Sequence, residues 1–196
     1  MTRRGPSIDH ALNPDQIQQL VTSCQTLEEK TLVKLPLYCG LRSGEVAHLR
    51  ASWITPEGHL KVPREQPCNC WECSQSKHSG HWQPKTKAGA RTLPIPPQLY
   101  PDLMAFLKKS PEGCGLTRVN VYHHIKHSLK VAGLSNSYPH SLRATCLTIL
   151  AANGMSAPAL AAFAGWGNLA VAQSYIDLTM AQQAAIEQAA KIFGRM

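Results

Sequence analysis

Between Ala144 and Ile176 the chain carries no charged residue. A run of that length could cross a membrane, but Asn153, Gly154, Pro158, Gly165, Gly167 and Asn168 break it. Those residue types end helices or start turns. The stretch therefore reads as several short buried helices rather than one span, and it makes the C-terminal half a core of packed helices. The same kind of punctuation divides the rest. Asn13 reads as a cap with Pro14 at the first helical position, Gly40 breaks a second helix, and Ser43 reads as the cap of a third. The pattern predicts helices over 14–24, 26–38, 43–50, 98–108, 118–132, 141–153, 157–164, 169–176 and 179–193.

From Trp53 to Pro96 the character changes. Residues 53–54, 59–62, 82 and 91–95 have strand character, with turns at Pro56-Glu57-Gly58 and Lys87-Ala88-Gly89. A polar, cysteine-rich insertion, 66–80, interrupts them. The predicted fold class is α+β, mainly α-helical, with a small antiparallel β-sheet. The predicted organisation is an N-terminal extension over 1–12, a body over 13–178 that includes the insertion, and a C-terminal helix over 179–196. That last helix either packs on its own body or makes a protomer–protomer contact.

Composition narrows the function classes. Hydrophobic residues make up 43% of the 196 and charged residues 16%, which excludes a chain disordered as a whole. The first six residues hold two arginines with no apolar run behind them, so no signal peptide is expected. A soluble intracellular protein without membrane contact is expected. The net charge of +8 suits a polyanionic partner. Of the seven cysteines, Cys24, Cys39, Cys114 and Cys146 lie among apolar residues as reduced core thiols. Cys68, Cys70 and Cys73 cluster, and with His78 or His81 they could supply four ligands to a structural zinc ion. The other reading is a reduced loop that meets a polyanion through Lys77 and Arg64.

Three places could carry phosphate chemistry. His140 and Arg143 are three apart at a helix start after Pro139, so they share a face beside free backbone N–H groups that favour anions. A buried arginine followed by an apolar helix needs an acceptor, and a carboxylate would serve as well as a phosphate. Arg42 repeats the setting 101 residues upstream, with Glu45 able to cap its helix or orient it. Tyr175 follows a Gly-Trp-Gly turn; taken alone, it is as readily a core tyrosine.

Together these segments resemble the tyrosine recombinases, the phage-type integrases. The run from Tyr38 to Leu49 resembles their first arginine motif, Pro139-His140-Ser141-Leu142-Arg143 their His-x-x-Arg motif, and Ala164-Gly165-Trp166 their Leu-Gly-His motif with Trp in the His place. Gln173-Ser174-Tyr175 resembles the nucleophile motif. The intervals agree: three residues from His140 to Arg143, 23 on to Trp166 and nine to Tyr175. The segment from Pro84 to Pro94 is similar to the lysine hairpin of that family, with Lys85 the better match and Lys87 the second.

The resemblance implies a site-specific recombinase. Tyr175 would attack the scissile phosphate and form a 3′-phosphotyrosyl bond. Arg42 and Arg143 would hold the non-bridging oxygens, Lys85 would protonate the leaving 5′-oxygen, and His140 would take or relay the tyrosine proton. Trp166 would donate its indole N–H, and Glu45 would support Arg42. Catalysis would need no cofactor, ATP or metal. The partners implied are double-stranded DNA and further copies of the chain, assembled as a tetramer on DNA. Relaxation of DNA in the manner of type IB topoisomerases, a non-catalytic DNA-binding remnant and a zinc-dependent binding module are the alternatives.

Overall fold

In the computed structural model, residues 7–75 and 80–194 are described. Local capping sets the first elements. Asn13 accepts from the Gln16 backbone N–H while the Gln16 side chain accepts from Asn13, with Pro14 opening α1 (Pro14–Ser23). Thr26 and Glu29 repeat that box on α2 (Leu27–Cys39), which stops at Gly40 in the left-handed conformation, φ 59°. Leu32, Val33, Leu35 and Leu37 are all buried. The C-terminal half of α2 is buried on most sides, and the helix packs against α5 (Tyr100–Lys109), α6 (Arg118–Val131) and α7 (Pro139–Ala152).

The third helix differs from expectation. α3 spans only Ser43–Ala47, and its N-cap is Arg42 rather than Ser43. The Glu45 carboxylate accepts from the Arg42 backbone N–H at 3.0 Å, the bond by which a glutamate at the third helical position reaches back to its N-cap. The chain then turns through a short 3-10 segment, Ala51–Trp53, in place of the predicted first strand. Only Ile54 of that pair is bridged, to Leu60.

Among the described residues the strands form two separate ladders. β1 (His59–Val62) pairs antiparallel with β4 (Arg91–Pro94), Leu60 opposite Leu93 and Val62 opposite Arg91. β2 (Gln66–Pro67) pairs with β3 (His81–Trp82), and between them the insertion holds a one-turn helix, α4 (Trp71–Ser74). The predicted turn at Lys87–Gly89 is a 3-10 turn.

α8 (Ala157–Ala164) and α9 (Leu169–Phe193) complete the chain. The two helices predicted over 169–176 and 179–193 are one. No glycine or proline separates them, and the Thr179 hydroxyl bonds the Tyr175 carbonyl within the helix at 2.7 Å. From Met180 to Gly194 every residue except Ala189 is exposed, so this half of α9 does not pack on its own body. The core has two parts: a large one around α2, and a smaller one of Leu147, Ala151, Leu160, Ala161, Ala164 and Ala172, on which Trp166 and Tyr175 rest. Among the described residues no helix is long and apolar enough to cross a membrane.

Candidate active site

The turn between α8 and α9 is where distant segments meet. Gly165 sits at φ 65°, and a Cβ there would come within 3.0 Å of the Ala88 carbonyl oxygen and the Gly89 Cα. A glycine lets the 87–89 turn press directly on the end of α8. The Gly165 carbonyl then accepts from the Thr86 hydroxyl at 3.1 Å and from Arg42 Nη2 at 3.3 Å. One carbonyl thus links the hairpin, the first arginine motif and the Gly-Trp turn.

Glu45 forms the second link. It is 2% exposed and accepts from Arg42 Nη1 at 2.9 Å and from both Nη atoms of Arg91 at 3.1 and 2.9 Å. Burial pushes its carboxyl upward. The Arg91 hydrogen bonds, then the charges of Arg91 and Arg42 and the Arg42 N–H, outweigh that and hold it below the ordinary carboxylate value. Arg91 Nε also bonds the Phe163 carbonyl at 2.7 Å. Glu45 therefore both caps α3 and orients Arg42, as the sequence suggested. Its bond to Arg91 was not foreseen. The available signal was that Arg91 shares a strand face with buried Leu93, where a charge needs a partner.

Arg143 is 1% exposed and makes no ion pair with the described residues. Its Nη1 bonds the Gly40 carbonyl and its Nη2 the Ala164 carbonyl, the latter at 2.6 Å. Burial first, then the charge of Arg42, lower its affinity for its proton. Among the described residues it has no carboxylate partner, which its burial could have implied; two helix-end carbonyls position it instead. The indole of Trp166 lies over the guanidinium at 5.7 Å, and the Tyr175 ring lies 5.3 Å from that indole, tilted by 40°. Trp166 is thus a neighbour of both Arg143 and Tyr175. Burial raises the Tyr175 phenol above its ordinary value, Arg143 opposes this, and Tyr138 adds to it.

A cleft of about 430 Å³ opens beside these groups, lined among others by Arg42, Gln83, Lys85, Arg118 and His140. His140 is solvent-accessible. Partial desolvation of its ring, then Arg143, Arg42 and Lys85, hold its pKa below the ordinary histidine value. Lys85 is thus part of the same field. Lys87 instead lines an adjoining cleft of about 500 Å³ with Arg64 and Glu65. Arg118, at the first position of α6, was not singled out by sequence. Its side chain crosses Gly44, where a Cβ would lie 3.6 Å from Arg118 Cδ.

The cysteine cluster is drawn together, with an unexpected fourth donor. The ligand atoms of His48, Cys68, Cys70 and Cys73 all lie within 4.8 Å of one another. His81 is exposed and pairs in β3 with Pro67, outside this group; His78 lies outside the described residues. His48 belongs to the first arginine motif and reaches the insertion only because α3 ends at Ala47.

The cationic cleft, with a tyrosine and a buried arginine at its edge, suits a phosphodiester. Comparison with known proteins agrees with this architecture. No curated protein sequence matches the chain. The Tn1549 transposon integrase, solved in complex with transposon right end DNA, superposes with a TM-score of 0.69 at 19% identity, over 88% of this chain and 62% of that one. XerA recombinase gives a TM-score of 0.70 at 16% identity, over 95% and 66%. A lambda integrase dimer bound to a core site gives 0.55 at 16% identity, over 85% and 58%. The chain thus spans roughly two thirds or less of each of these neighbours. A family model described as the phage integrase family matches residues 10–182, and the chain belongs to that family, the tyrosine recombinases.

Proposed function

We propose that the chain is the strand-cutting and rejoining module of a site-specific DNA recombinase, its body spanning 13–178. The observation that supports this reading is a cationic cleft lined by Arg42, Lys85 and His140, with Arg143 on the same helix as His140 and Trp166 against both Arg143 and Tyr175. Tyr175 attacks the scissile phosphorus and the 5′-oxygen leaves, so a phosphotyrosyl bond replaces the phosphodiester. Arg42 and Arg143 bind the non-bridging oxygens. Arg143 is covered in the free chain, so the segment bearing Trp166 and Tyr175 shifts when DNA enters. Lys85 protonates the leaving oxygen, and neutral His140 accepts the phenol proton. The trapped bond energy lets a 5′-hydroxyl reverse the reaction without ATP or a catalytic metal. The exposed half of α9, with Ile186, Ile192 and Phe193 uncovered, docks on a neighbouring copy in a DNA-bound tetramer.

A nicked suicide duplex carrying a candidate attachment site tests the chemistry. A protein–DNA adduct on a denaturing gel that survives EDTA and disappears in Tyr175→Phe is expected. An adduct that persists in Tyr175→Phe rejects this nucleophile. Salt-sensitive binding with no adduct on any substrate points to a DNA-binding remnant.

A further inference from the structure

We propose that His48, Cys68, Cys70 and Cys73 form a structural zinc(II) site that fastens the cysteine-rich insertion to the helix carrying Arg42. Their donor atoms are arranged for a tetrahedral ion. With Zn–S near 2.3 Å and Zn–N near 2.0–2.1 Å, a tetrahedron places nitrogen and sulfur about 3.6 Å apart and sulfurs about 3.8 Å apart. His48 Nε2 lies 3.6 Å from Cys70 Sγ and 3.4 Å from Cys73 Sγ, and all four atoms fall within 4.8 Å. Three sulfurs and one imidazole are the donor set that selects zinc among common divalent ions. The four donors are all protein side chains and three of the residues are buried, which marks a closed, structural site rather than one with an open position.

The surroundings prepare the ligands. His48 Nδ1 lies 2.7 Å from the Gly44 carbonyl oxygen. A carbonyl can only accept, so Nδ1 carries the proton and Nε2 keeps its lone pair facing the sulfurs. The Cys73 backbone N–H donates to Cys70 Sγ at 3.4 Å, a bond that favours a thiolate. Gln66 donates to the His48 carbonyl and accepts from the Trp53 indole, both at 2.7 Å. Trp82 stacks on the His48 ring at 5.2 Å and 19°. A disulfide would use two of the sulfurs and leave the oriented imidazole without a role.

The position gives the site its purpose. His48 follows α3, whose start carries Arg42 and Glu45. Cys68 is tied to Gly80 by its N–H at 2.8 Å, and β3 then runs through Trp82 to Lys85. One ion would close the insertion into a loop and set where the lysine hairpin leaves it.

Metal content of the full chain, purified under reducing conditions without chelator, tests this. One zinc per chain is expected, released by a mercurial that titrates the thiols. His48→Ala and Cys70→Ser lose it, while His81→Ala and Cys114→Ser keep it. Cobalt(II) substitution gives intense tetrahedral ligand-field bands, and His48→Cys retains the metal with added thiolate charge-transfer absorption. That last variant separates a ligand from a residue needed only for folding. Metal-free protein with freely reactive thiols overturns the proposal. So does a mass lower by two hydrogens, the mark of a disulfide, or zinc that depends on His81 but not on His48.

Discussion

Arg91 grips both carboxylate oxygens of Glu45, Nη1 to Oε1 at 3.1 Å and Nη2 to Oε2 at 2.9 Å, with the two side chains only 5% and 2% exposed. The pair joins β4 to the helix that presents Arg42. Removing one partner of a buried pair strands the other charge, at about 3–5 kcal/mol. Glu45→Gln is expected to lower unfolding stability by an amount in that range, read by urea denaturation. It should also slow strand cleavage, because Arg42 loses its anchor. The pH dependence follows from the lowered carboxyl. Its stabilising contribution is present above the unfolded carboxylate pKa, about 4.3, and is lost as pH falls through the lower folded value. The wild type should therefore lose more stability on acidification than Glu45→Gln does.

Trp166 lies against both Arg143 and Tyr175. An aromatic pair and a cation–π contact contribute about 1 kcal/mol each, and 1.36 kcal/mol is tenfold in rate. Trp166→Ala should slow single-turnover adduct formation by about tenfold or more. Trp166→His keeps a ring and an N–H donor and should lose less. Equal losses in the two variants would reduce Trp166 to packing.

Lys85 and Lys87 separate by leaving-group chemistry. A positioned acid contributes about 10²–10⁴-fold, so Lys85→Ala should slow cleavage within that range. A substrate with sulfur in place of the leaving 5′-oxygen expels a thiolate that needs no proton, and it should restore most of the rate. Lys87→Ala should change little on either substrate. A loss confined to Lys87→Ala would reverse the assignment.

His140 titrates below the ordinary histidine value, about 6.5, through desolvation and the cations Arg143, Arg42 and Lys85. It is therefore neutral at pH 7 and able to take a proton. Cleavage should hold steady from pH 7 down to about 6.5 and fall only below that, as the ring becomes charged. Single-turnover rates against pH measure this, and His140→Gln should abolish the inflection.

Arg118 lines the cleft. Arg118→Ala should weaken DNA binding about equally across sequences. It should also reduce the slope of log K against log salt by about 1, the signature of one lost phosphate contact. An unchanged slope would remove Arg118 from the interface.

Much of this molecule was legible before folding. The breaks at Gly40, Pro139, Gly154 and Gly165 act within a turn of where they stand, because backbone conformation and capping are local. They placed most helices to within two residues. The segments holding Arg42, His140, Arg143, Trp166 and Tyr175 stood out by their resemblance to family motifs. Three features were out of reach because each depends on which side chains meet across the fold. Arg91 pairs with Glu45, 46 residues away. Lys85 rather than Lys87 faces the cleft, because the 87–89 turn docks on Gly165. His48 completes the cysteine cluster because α3 stops at Ala47 while β2 and β3 fold the insertion back over it. Chain spacing carries propensity and motif. Long-range pairing, which selects partners for buried charges and soft ligands, was decided only by the packing of the tertiary structure.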